Sequence, residues 1–381
     1  MIKRPFFTDL IEKAWQKRSL IWLKGVRRSG KTTLAKSMSK IEYFDCEFPR
    51  TAKLLEDPEG FFEGLKGKRI VLDEIHRLPD PSRILKTASD HFGDVKVLAT
   101  GSSTLHASAK FSDTLAGRKT EVYLSPVLEQ ERAAFNGATL NDRLVKGGMP
   151  AYLMQGDPSP SDYNEWLDAY FARDVMELFR LSKRASFLRF TRLLFTRSGG
   201  LFDASKFSRE CETDRRTLAN YLSILEETHL VLVLRPFSNH KSIEITHMPK
   251  VCAFDTGFIA QARGWNDPGP QDLGSLFEQL VVQETAGLLQ RTDLNHWRDK
   301  SEREVDLVIS RHGKHPLAVE VKWSEKALDP SGLSAFKDLY PKAELVCVCR
   351  DSGRLHKRTY KGLDITVVGL EGWGEWLNSH S

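Results

Sequence analysis

A glycine-rich loop that ends in lysine carries the clearest chemical signal in the sequence. The segment Gly25-Val26-Arg27-Arg28-Ser29-Gly30-Lys31-Thr32 has the pattern G-x-x-x-x-G-K-[ST], in which backbone N–H groups surround phosphate oxygens. In such loops the lysine meets the β- and γ-phosphates, and the hydroxyl after it binds Mg²⁺. The sequence therefore predicts an ATP site with the following binding residues: Gly25, Arg28, Ser29, Gly30, Lys31, Thr32 and Thr33.

Two adjacent carboxylates follow the apolar run Ile70-Val71-Leu72, which is typical of a buried parallel strand. Asp73 is predicted to hold Mg²⁺ through water, and Glu74 to act as the general base that activates the attacking water. Taken alone, two acids that open a solvated loop would explain the same pattern. The phosphate loop upstream favours a site for hydrolysis of MgATP.

Two further residues are candidates for contact with the reacting phosphate. Ser102 ends a third apolar run and is predicted to sense the γ-phosphate or the water, with an ordinary strand-end N-cap as the alternative. Arg118 follows the small-residue turn Leu115-Ala116-Gly117 and is a candidate arginine finger, acting in cis or from a neighbouring subunit. A solvent-exposed surface arginine is the alternative for Arg118.

A predicted hairpin near the C-terminal end places carboxylates opposite each other. A turn centred on Gly313 sets Asp306 opposite Glu320 and Glu304 opposite Lys322. Carboxylates that face each other across a strand pair repel unless a cation lies between them, and Mg²⁺ takes such oxygen ligands. Lys322 would then position or deprotonate a water. The alternative is a half-buried, ion-paired hairpin without catalysis.

The D…E-x-K arrangement resembles the restriction-endonuclease-like PD-(D/E)xK superfamily, in which a preceding helix often supplies one more acid. Here the predicted helix at 273–289 offers Glu284, within its apolar stripe, and Glu278, on the flank of that stripe. The resemblance implies metal ligation by Asp306 and Glu320 with one of these acids, and DNA cleavage that uses Glu320 and Lys322. Many domains of this fold bind without cutting.

A helix-turn-helix pattern with an adjacent wing occupies the middle of the chain. Asp203 can cap a short helix, and the helix after it carries Arg215, Arg216 and Asn220 on its polar face. Two strand-like runs follow, as in the winged helices that place a helix in the major groove. These three residues are therefore predicted to contact DNA. Nearby acids dilute the positive face, and winged helices also bind proteins.

Composition narrows the class of protein. With 381 residues the chain exceeds one typical domain, and 40% hydrophobic with 28% charged residues is ordinary for a globular protein. The formal charge of +5 equals the excess of the segment 171–220 alone, where eleven basic residues meet six acidic ones. No apolar run would span a bilayer, and five scattered cysteines make a zinc or disulfide framework unlikely. We expect a cytoplasmic protein.

Changes in pattern predict an α/β multidomain protein with four parts. Residues 1–135 would form a RecA-like P-loop AAA core, and residues 136–197 a helical lid or connector. Residues 198–263 would form the winged helix-turn-helix. After a linker rich in glycine and proline, residues 271–381 would form the restriction-endonuclease-like α/β domain.

From end to end the chain resembles a family of bacterial and archaeal AAA-type ATP-binding proteins that join these same parts. The matching motifs are GVRRSGKTTL, IVLDEIHRLP, VLATGSS, LAGR, GGMPAYL, NYLSILEETHLVLVLRPFSN, PKVCAFDTGF, LFEQLVVQE, WRDKSEREVDLVIS and LAVEVKW. The resemblance implies ATP and Mg²⁺ as cofactors and the same roles for Lys31, Thr32, Asp73 and Glu74. The segment after Asn239 is less basic than is usual in the family, which weakens the case for DNA.

These observations predict a cytoplasmic, homo-oligomeric ATPase, such as a ring, that couples MgATP hydrolysis to action on DNA. Remodelling, branch migration or repair of branched or single-stranded DNA would fit this activity. One alternative is a regulatory NTPase switch whose winged helix and last domain bind protein. Another is an ATP-gated, structure-specific endonuclease.

Overall fold

The computed structural model describes residues 2–101, 113–176, 183–238, 248–360 and 362–380, and the chain forms two compact units. The first unit comprises Met1–Ser125, Trp166–Ser182 and Glu227–His229. The second comprises Pro126–Glu165, Lys183–Glu226 and Leu230–Ser381. Within the described ranges, no helix has the length and apolar character needed to cross a membrane.

The first unit is built on a five-stranded sheet in which every described pair of strands is parallel. Its strands are β1 (Leu20–Lys24), β2 (Glu42–Asp45), β3 (Arg69–Asp73), β4 (Lys96–Thr100) and β5 (Lys119–Tyr123), in the order β2-β3-β4-β1-β5. Its helices are α1 (Pro5–Lys17), α2 (Lys31–Ser37), α3 (Pro49–Leu54), α4 (Pro58–Glu63) and α5 (Pro81–His91). This sheet agrees with the predicted P-loop core.

The order of the strands brings the predicted chemistry to one edge of the sheet. Because β1 and β3 both pair with β4 in parallel, the carboxyl ends of these three strands lie side by side. Apolar residues of the strands, such as Trp22, and of the helices, such as Phe62 and Leu85, form a buried core that fixes these ends. The loop after β1 and the acids after β3 are therefore held by rigid elements.

The second unit carries a nine-stranded mixed sheet in the order β13-β14-β12-β11-β10-β9-β7-β8-β6. Its strands are β6 (Gly200–Leu201), β7 (Val231–Pro236), β8 (Lys250–Ala253), β9 (Asn295–Arg298), β10 (Glu304–Ile309), β11 (Leu317–Lys322), β12 (Glu344–Cys349), β13 (His356–Tyr360) and β14 (Leu363–Gly369). The short parallel pairing of Arg235 with Asn295, between β7 and β9, joins a three-stranded part of the sheet to a six-stranded part.

Helices cover this sheet and precede it along the chain. They are α6 (Glu129–Arg132), α7 (Leu140–Val145), α8 (Pro150–Met154), α9 (Pro160–Tyr170), α10 (Arg184–Thr196), α11 (Ala204–Glu210), α12 (Arg215–Glu227), α13 (Thr256–Arg263), α14 (Pro270–Leu289), α15 (Ser331–Leu339) and α16 (Leu370–His380). The residues of α9 from Trp166 onward belong to the first unit, as does the π-helix Phe171–Val175 that continues it.

The helix-turn-helix segment has the local structure that its sequence predicts. The Asp203 carboxylate accepts hydrogen bonds from the Ser205 and Lys206 amides and so caps α11. The apolar face of α12 is buried, including Leu218, Tyr221 and Leu225. The elements follow one another as α10, β6, α11, α12, β7 and β8, with β8 antiparallel to both β6 and β7.

The predicted register of the acidic hairpin is confirmed. The strands β10 and β11 pair antiparallel, with Leu307 opposite Val319 and Ile309 opposite Leu317, which corresponds to a turn centred on Gly313. The strand β12 runs parallel to β11 after the crossover helix α15. Both faces of the hairpin are largely buried, so its polar face is enclosed.

A buried polar network explains the glycine pair of the GGMPAYL motif. The Asp255 carboxylate accepts a hydrogen bond of 2.6 Å from the Gly148 amide, and the Arg143 guanidinium donates to Thr256 Oγ1 at 3.1 Å. A Cβ atom at Gly147, where φ is +85°, would lie 1.9 Å from Asp255 Oδ1. Only glycine fits there, so this motif holds the fold of the second unit.

Candidate functional site

The phosphate loop has the backbone geometry of a nucleotide cradle. Gly25 and Gly30 have φ of +155° and +96°, and a Cβ atom at Gly25 would lie 2.6 Å from the Leu124 carbonyl oxygen. The ammonium of Lys31, at the start of α2, donates to the Gly25 and Val26 carbonyl oxygens at 2.9 and 3.1 Å. The lysine therefore closes the loop on itself, and a phosphate would compete with these two carbonyl groups.

The two carboxylates at the end of β3 are held differently. Asp73, which is 2% exposed, accepts hydrogen bonds from the hydroxyls of Tyr43 and Thr100. The Glu74 amide donates to Thr100 Oγ1 at 3.0 Å, and Glu74 has a left-handed backbone with φ of 56°. Such a conformation costs about 1–3 kcal/mol in a residue other than glycine, and strain of this kind is concentrated at functional sites.

Burial controls the charge state of the groups around Glu74. It raises the pKa of Glu74, whereas the neighbouring Lys31 ammonium lowers it. Burial also lowers the pKa of Lys31, and it lowers the pKa of His76 to about 4. A neutral His76, with Nδ1 lying 3.1 Å from Glu74 Oε2, then makes a hydrogen bond rather than an ion pair. The arrangement leaves a carboxylate with increased basicity at the mouth of the loop.

A cavity of about 370 Å³ lies between the phosphate loop and the two carboxylates. It is lined by Arg27, Arg28, Lys31, Thr32, Lys36, Tyr43, Asp45, Glu47, Asp73, Glu74, His76, Arg77, Gly101, Arg173 and Asp174. Beside it the hydroxyl of Ser29 is fully buried and makes no hydrogen bond within the described part of the chain. Cationic side chains next to carboxylate and hydroxyl oxygens fit a phosphate group with a divalent cation.

Sequence reasoning missed Arg173 and Asp174 as parts of this cavity. Both lie on the π-helix Phe171–Val175, and Asp174 Oδ2 is 3.9 Å from Arg27 Nη1. The Trp166 indole donates to the Arg27 carbonyl oxygen at 3.3 Å, so the same segment also fixes the phosphate loop. The sequence showed Arg173 only as one member of a basic stretch, and a π-helical turn has no strong sequence signal.

The other predicted residues of the nucleotide site have different outcomes. Ser102 lies outside the described residues, and the Thr100 hydroxyl donates to the Asp73 carboxylate and accepts from the Glu74 amide. Thr33 is exposed on α2 and does not line the cavity. Arg118 is also not among the lining residues, and its Nε pairs with Asp90 Oδ1 at 2.6 Å. Of the two modes predicted for Arg118, the structure gives no support to the one in cis.

The acidic hairpin of the second unit contains its own cations. The Lys322 ammonium lies 2.6 Å from Glu320 Oε1 and 3.9 Å from Asp306 Oδ2. A second ammonium, that of Lys250 on β8, lies 2.7 Å from Glu278 Oε1 and 3.8 Å from Asp306 Oδ1. The structure thus brings together Glu278, Asp306, Glu320 and Lys322 as predicted, and it adds Lys250.

Glu284 does not join this cluster. Its Oε1 accepts a hydrogen bond of 2.9 Å from the Glu129 amide at the start of α6, and its carboxyl is 3% exposed. Burial raises the pKa of Glu284 to about 8, although the nearby Arg143 guanidinium lowers it. The acid that seemed out of place in an apolar stripe therefore caps a short helix.

The residues of the cluster do not fit the metal ion that the nuclease resemblance implies. In the ranges that the structure describes, no three His, Cys, Asp or Glu side chains are placed to hold a metal. The Lys250 ammonium lies between Glu278 and Asp306, and the Val321 amide donates to Asp306 Oδ2 at 2.8 Å. A divalent ion would have to displace a buried, paired ammonium.

The predicted DNA-binding residues lie on the outer surface of α12. Arg215, Arg216 and Asn220 are all exposed, on the face opposite the buried apolar stripe. The turn before this helix carries acids, of which Glu212 lies 3.3 Å from Arg189 Nη1 and Glu210 lies 2.7 Å from Arg197 Nη2. Both acids thus pair with arginines that lie outside α12.

Comparison with known proteins identifies the first unit by family. Residues 17–132 match the AAA domain family, residues 137–269 match a domain of unknown function (DUF8612), and residues 273–368 match another (DUF4143). The chain therefore contains an AAA-type P-loop ATPase domain. The winged helix, the nuclease-like domain and the bounds of the four predicted parts stay predictions.

Relatives of similar length exist in mycobacteria. An uncharacterised protein of Mycobacterium tuberculosis, Rv2008c, and one of Mycobacterium bovis, Mb2031c, are each 29% identical over 354 residues, which is 89% of this chain and 78% of the relative. Among solved structures, the Walker-type ATPase PABY2304 of Pyrococcus abyssi is similar with a TM-score of 0.47, 16% identity and coverage of 69% of this chain and 96% of that one. The McrB AAA+ hexamer with bound McrC of Thermococcus gammatolerans matches with a TM-score of 0.23, 11% identity and coverage of 51% and 52%.

Proposed function

We propose that this protein is an ATPase that couples hydrolysis of MgATP to action on DNA. The observation that carries the proposal is the cavity in which the phosphate-loop residues Lys31 and Thr32 face Asp73 and Glu74 within an AAA-type domain. The donor set suits Mg²⁺, which would neutralise phosphate charge when bound, and Thr32 and Asp73 would hold it.

The residues of the chain divide the work of hydrolysis. The loop amides and Lys31 bind and orient the β- and γ-phosphates, and the ammonium gives up the Gly25 and Val26 carbonyls as it does so. The Glu74 carboxylate accepts a proton from the attacking water, for which its raised pKa suits it. Arg173, on the wall of the same cavity, is placed to stabilise negative charge on the phosphate.

Action on DNA is supported by α12 and the strands that follow it. The helix presents two exposed arginines and an asparagine to solvent, and its apolar face is buried beneath them. The succession of α10, β6, α11, α12, β7 and β8 fits a helix-turn-helix with a wing, which presents its second helix to the major groove. Arginine would contact phosphates or guanine edges, and asparagine would contact adenine.

The test compares two charge-matched variants of the full chain. Arg215→Ala/Arg216→Ala removes two exposed arginines of α12, and the control Lys13→Ala/Lys17→Ala removes two exposed lysines of α1. We expect duplex, single-stranded or branched DNA to stimulate ATP turnover in the parent and the control. In the α12 variant the log–log salt slope of DNA binding should fall by about one unit for each lost phosphate contact.

The same experiment also distinguishes the DNA-coupled ATPase from the second candidate, an NTPase switch that binds protein partners. If DNA neither binds nor stimulates turnover in the parent, and ATP hydrolysis persists, the ATPase is a switch with protein partners. An unchanged salt slope in the α12 variant would likewise identify the helix-turn-helix as a protein-binding module. The acids of the preceding turn, Glu210 and Glu212, are the observation that favours this second candidate.

A further inference from the structure

Five ionisable groups meet where β8, α14, β10 and β11 come together in the second unit. Three are carboxylates, those of Glu278, Asp306 and Glu320, and two are ammonium groups, those of Lys250 and Lys322. The side chains of Asp306, Glu320 and Lys250 are each less than a tenth exposed. A buried group of this kind is stable only if its charges compensate one another.

We propose that Lys250 is the resident cation of this cluster, placed where the nuclease resemblance expects a divalent metal ion. The Lys250 ammonium is the nearest cation to Glu278 and also approaches Asp306, so it bridges a helix acid and a strand acid as a metal would. The cluster then joins the three-stranded and six-stranded parts of the sheet without a metal, and the domain does not cut DNA by metal-dependent chemistry.

The position of Lys250 is fixed by its backbone rather than by its charge. Lys250 pairs with Leu234 of β7 and with Leu201 of β6, in the middle of the three-stranded part. Its side-chain stem is buried, so the ammonium cannot swing into water when another cation arrives. A divalent ion would meet this fixed charge at a distance of a few ångströms, where like charges repel strongly in a buried site.

The oxygens of Asp306 are already engaged from both sides. Oδ2 accepts the Val321 amide at 2.8 Å, and Oδ1 faces Lys250. Glu320 uses Oε1 for Lys322, whereas its Oε2 is buried and has no hydrogen-bond partner among the described residues. Burial and the charge of Asp306 raise the pKa of Glu320 to about 8.

The test uses the full chain with Lys31→Ala as its parent. This substitution disables the nucleotide site, so metal bound together with ATP does not contribute to the measurement. Its thermal unfolding and calorimetric titration are followed with Mg²⁺ and Mn²⁺, and we expect no metal-dependent shift. Adding Lys250→Met should lower the melting temperature by several degrees without metal, because Glu278 loses its partner. Mn²⁺ should raise the melting temperature of this variant toward that of the parent, since ions that bind only the folded state stabilise it.

A double change covers the case in which Lys250→Met fails to fold. Lys250→Met/Glu278→Gln removes both members of the pair, and we expect it to fold, to melt near the parent and to ignore Mn²⁺. A double variant that melts as low as Lys250→Met would overturn the assignment of Lys250 as the partner of Glu278.

Three other results would contradict the proposal. One is stabilisation of the Lys31→Ala parent by Mn²⁺ that Glu320→Gln removes. The second is a Lys250→Met variant that folds but whose melting temperature Mn²⁺ does not raise. A metal ion would then not bind where the Lys250 ammonium lies. The third is metal-dependent cleavage of DNA by the parent that disappears with Lys322→Ala. The test does not depend on ATP hydrolysis, so its failure is distinct from failure of the proposed ATPase.

Discussion

The two acidic sites of this protein differ in the origin of their cations. In the first unit Asp73 and Glu74 border a cavity of about 370 Å³, and Asp73 is held by neutral hydroxyls. In the second unit Asp306 and Glu320 are enclosed with two lysine ammonium groups. Both sites combine acids on or directly after strands with a lysine, but the acids of the first border a cavity, whereas those of the second are paired with ammonium groups.

This difference shows why a motif of acids and lysine does not by itself indicate chemistry. In the first site the lysine donates to carbonyl groups of its own loop, so a phosphate can replace weak partners. In the second the lysines are paired with carboxylates in a buried setting, so a ligand would have to break strong partners. A lysine that is bonded only to carbonyl groups can therefore bind a ligand more readily than one that is paired with buried carboxylates.

Glu74→Gln should produce the largest effect, and it tests whether the acids of the first site act in catalysis. The amide cannot accept a proton, so we expect kcat for ATP to fall by roughly 10²–10⁴-fold while the nucleotide still binds. Turnover and nucleotide affinity are measured in parallel. The control is Glu47→Gln, an exposed acid that lines the same cavity. Equal turnover by the two variants would remove Glu74 from the mechanism.

Lys31→Ala should weaken nucleotide binding itself. The loop loses the cation that meets the β- and γ-phosphates, a loss of about 2–5 kcal/mol for a buried charge partner. The dissociation constant of ATP is measured by fluorescence or calorimetry. Lys36→Ala, which changes a lysine on the same wall, is the control and should bind nearly normally. Normal ATP binding by Lys31→Ala would contradict the assignment of Lys31 as a phosphate-binding residue.

Two arginine variants test whether one subunit supplies all the arginines that ATP hydrolysis in the first site requires. Arg173→Ala should reduce turnover about 10²-fold with little change in ATP affinity, because Arg173 lies on the cavity wall. Arg118→Ala should reduce turnover only if Arg118 acts in trans, and then mixing with Glu74→Gln subunits should restore part of the activity. A lack of restoration at every mixing ratio would mark Arg118 as a surface residue paired with Asp90.

Glu284→Gln tests a third carboxylate, which is buried and accepts a hydrogen bond from the Glu129 amide. The folded-state pKa of about 8 exceeds the reference value of 4.5, so the folded protein binds a proton that the unfolded chain has lost between these values. The stabilisation from that proton is complete below 4.5 and is lost as the pH rises through 8, at up to about 1.4 kcal/mol per pH unit.

The glutamine variant should therefore match the parent at acidic pH and exceed it by about 1–3 kcal/mol near pH 9. Urea unfolding at several pH values measures this difference. A parallel pH dependence in both proteins would show that Glu284 does not titrate in this range.

Local pattern was sufficient to predict much of the fold and the nucleotide site. The phosphate loop, the acids after β3 and the register of the acidic hairpin all depend on residues close in sequence, where spacing sets geometry. Glu278 and Glu284 were both candidates, because helical periodicity alone did not fix which face of α14 would meet the hairpin. In the structure, the packing of α14 places Glu278 beside Lys250 in the cluster.

Long-range partners could not be predicted in this way. Lys250 is far from Asp306 along the chain and reaches it only because β7 pairs with β9. Arg173 likewise reaches the cavity beside the phosphate loop through the fold, and no sequence pattern predicts the π-helical turn that carries it. Such contacts depend on tertiary packing, which propensity and spacing do not encode.

The glycine- and proline-rich segment at 264–270 looks like a natural place to divide the chain into separately produced pieces. The sheet crosses that boundary, because β7 pairs with β9, and Ser198 Oγ donates to Gln279 Oε1 at 2.8 Å. A fragment ending there would contain Lys250 without its carboxylates, and the complementary fragment would contain Glu278 and Asp306 without their ammonium. Each would also expose a strand edge that can pair with other chains. Both halves should therefore be poorly soluble when produced alone and should recover when produced together.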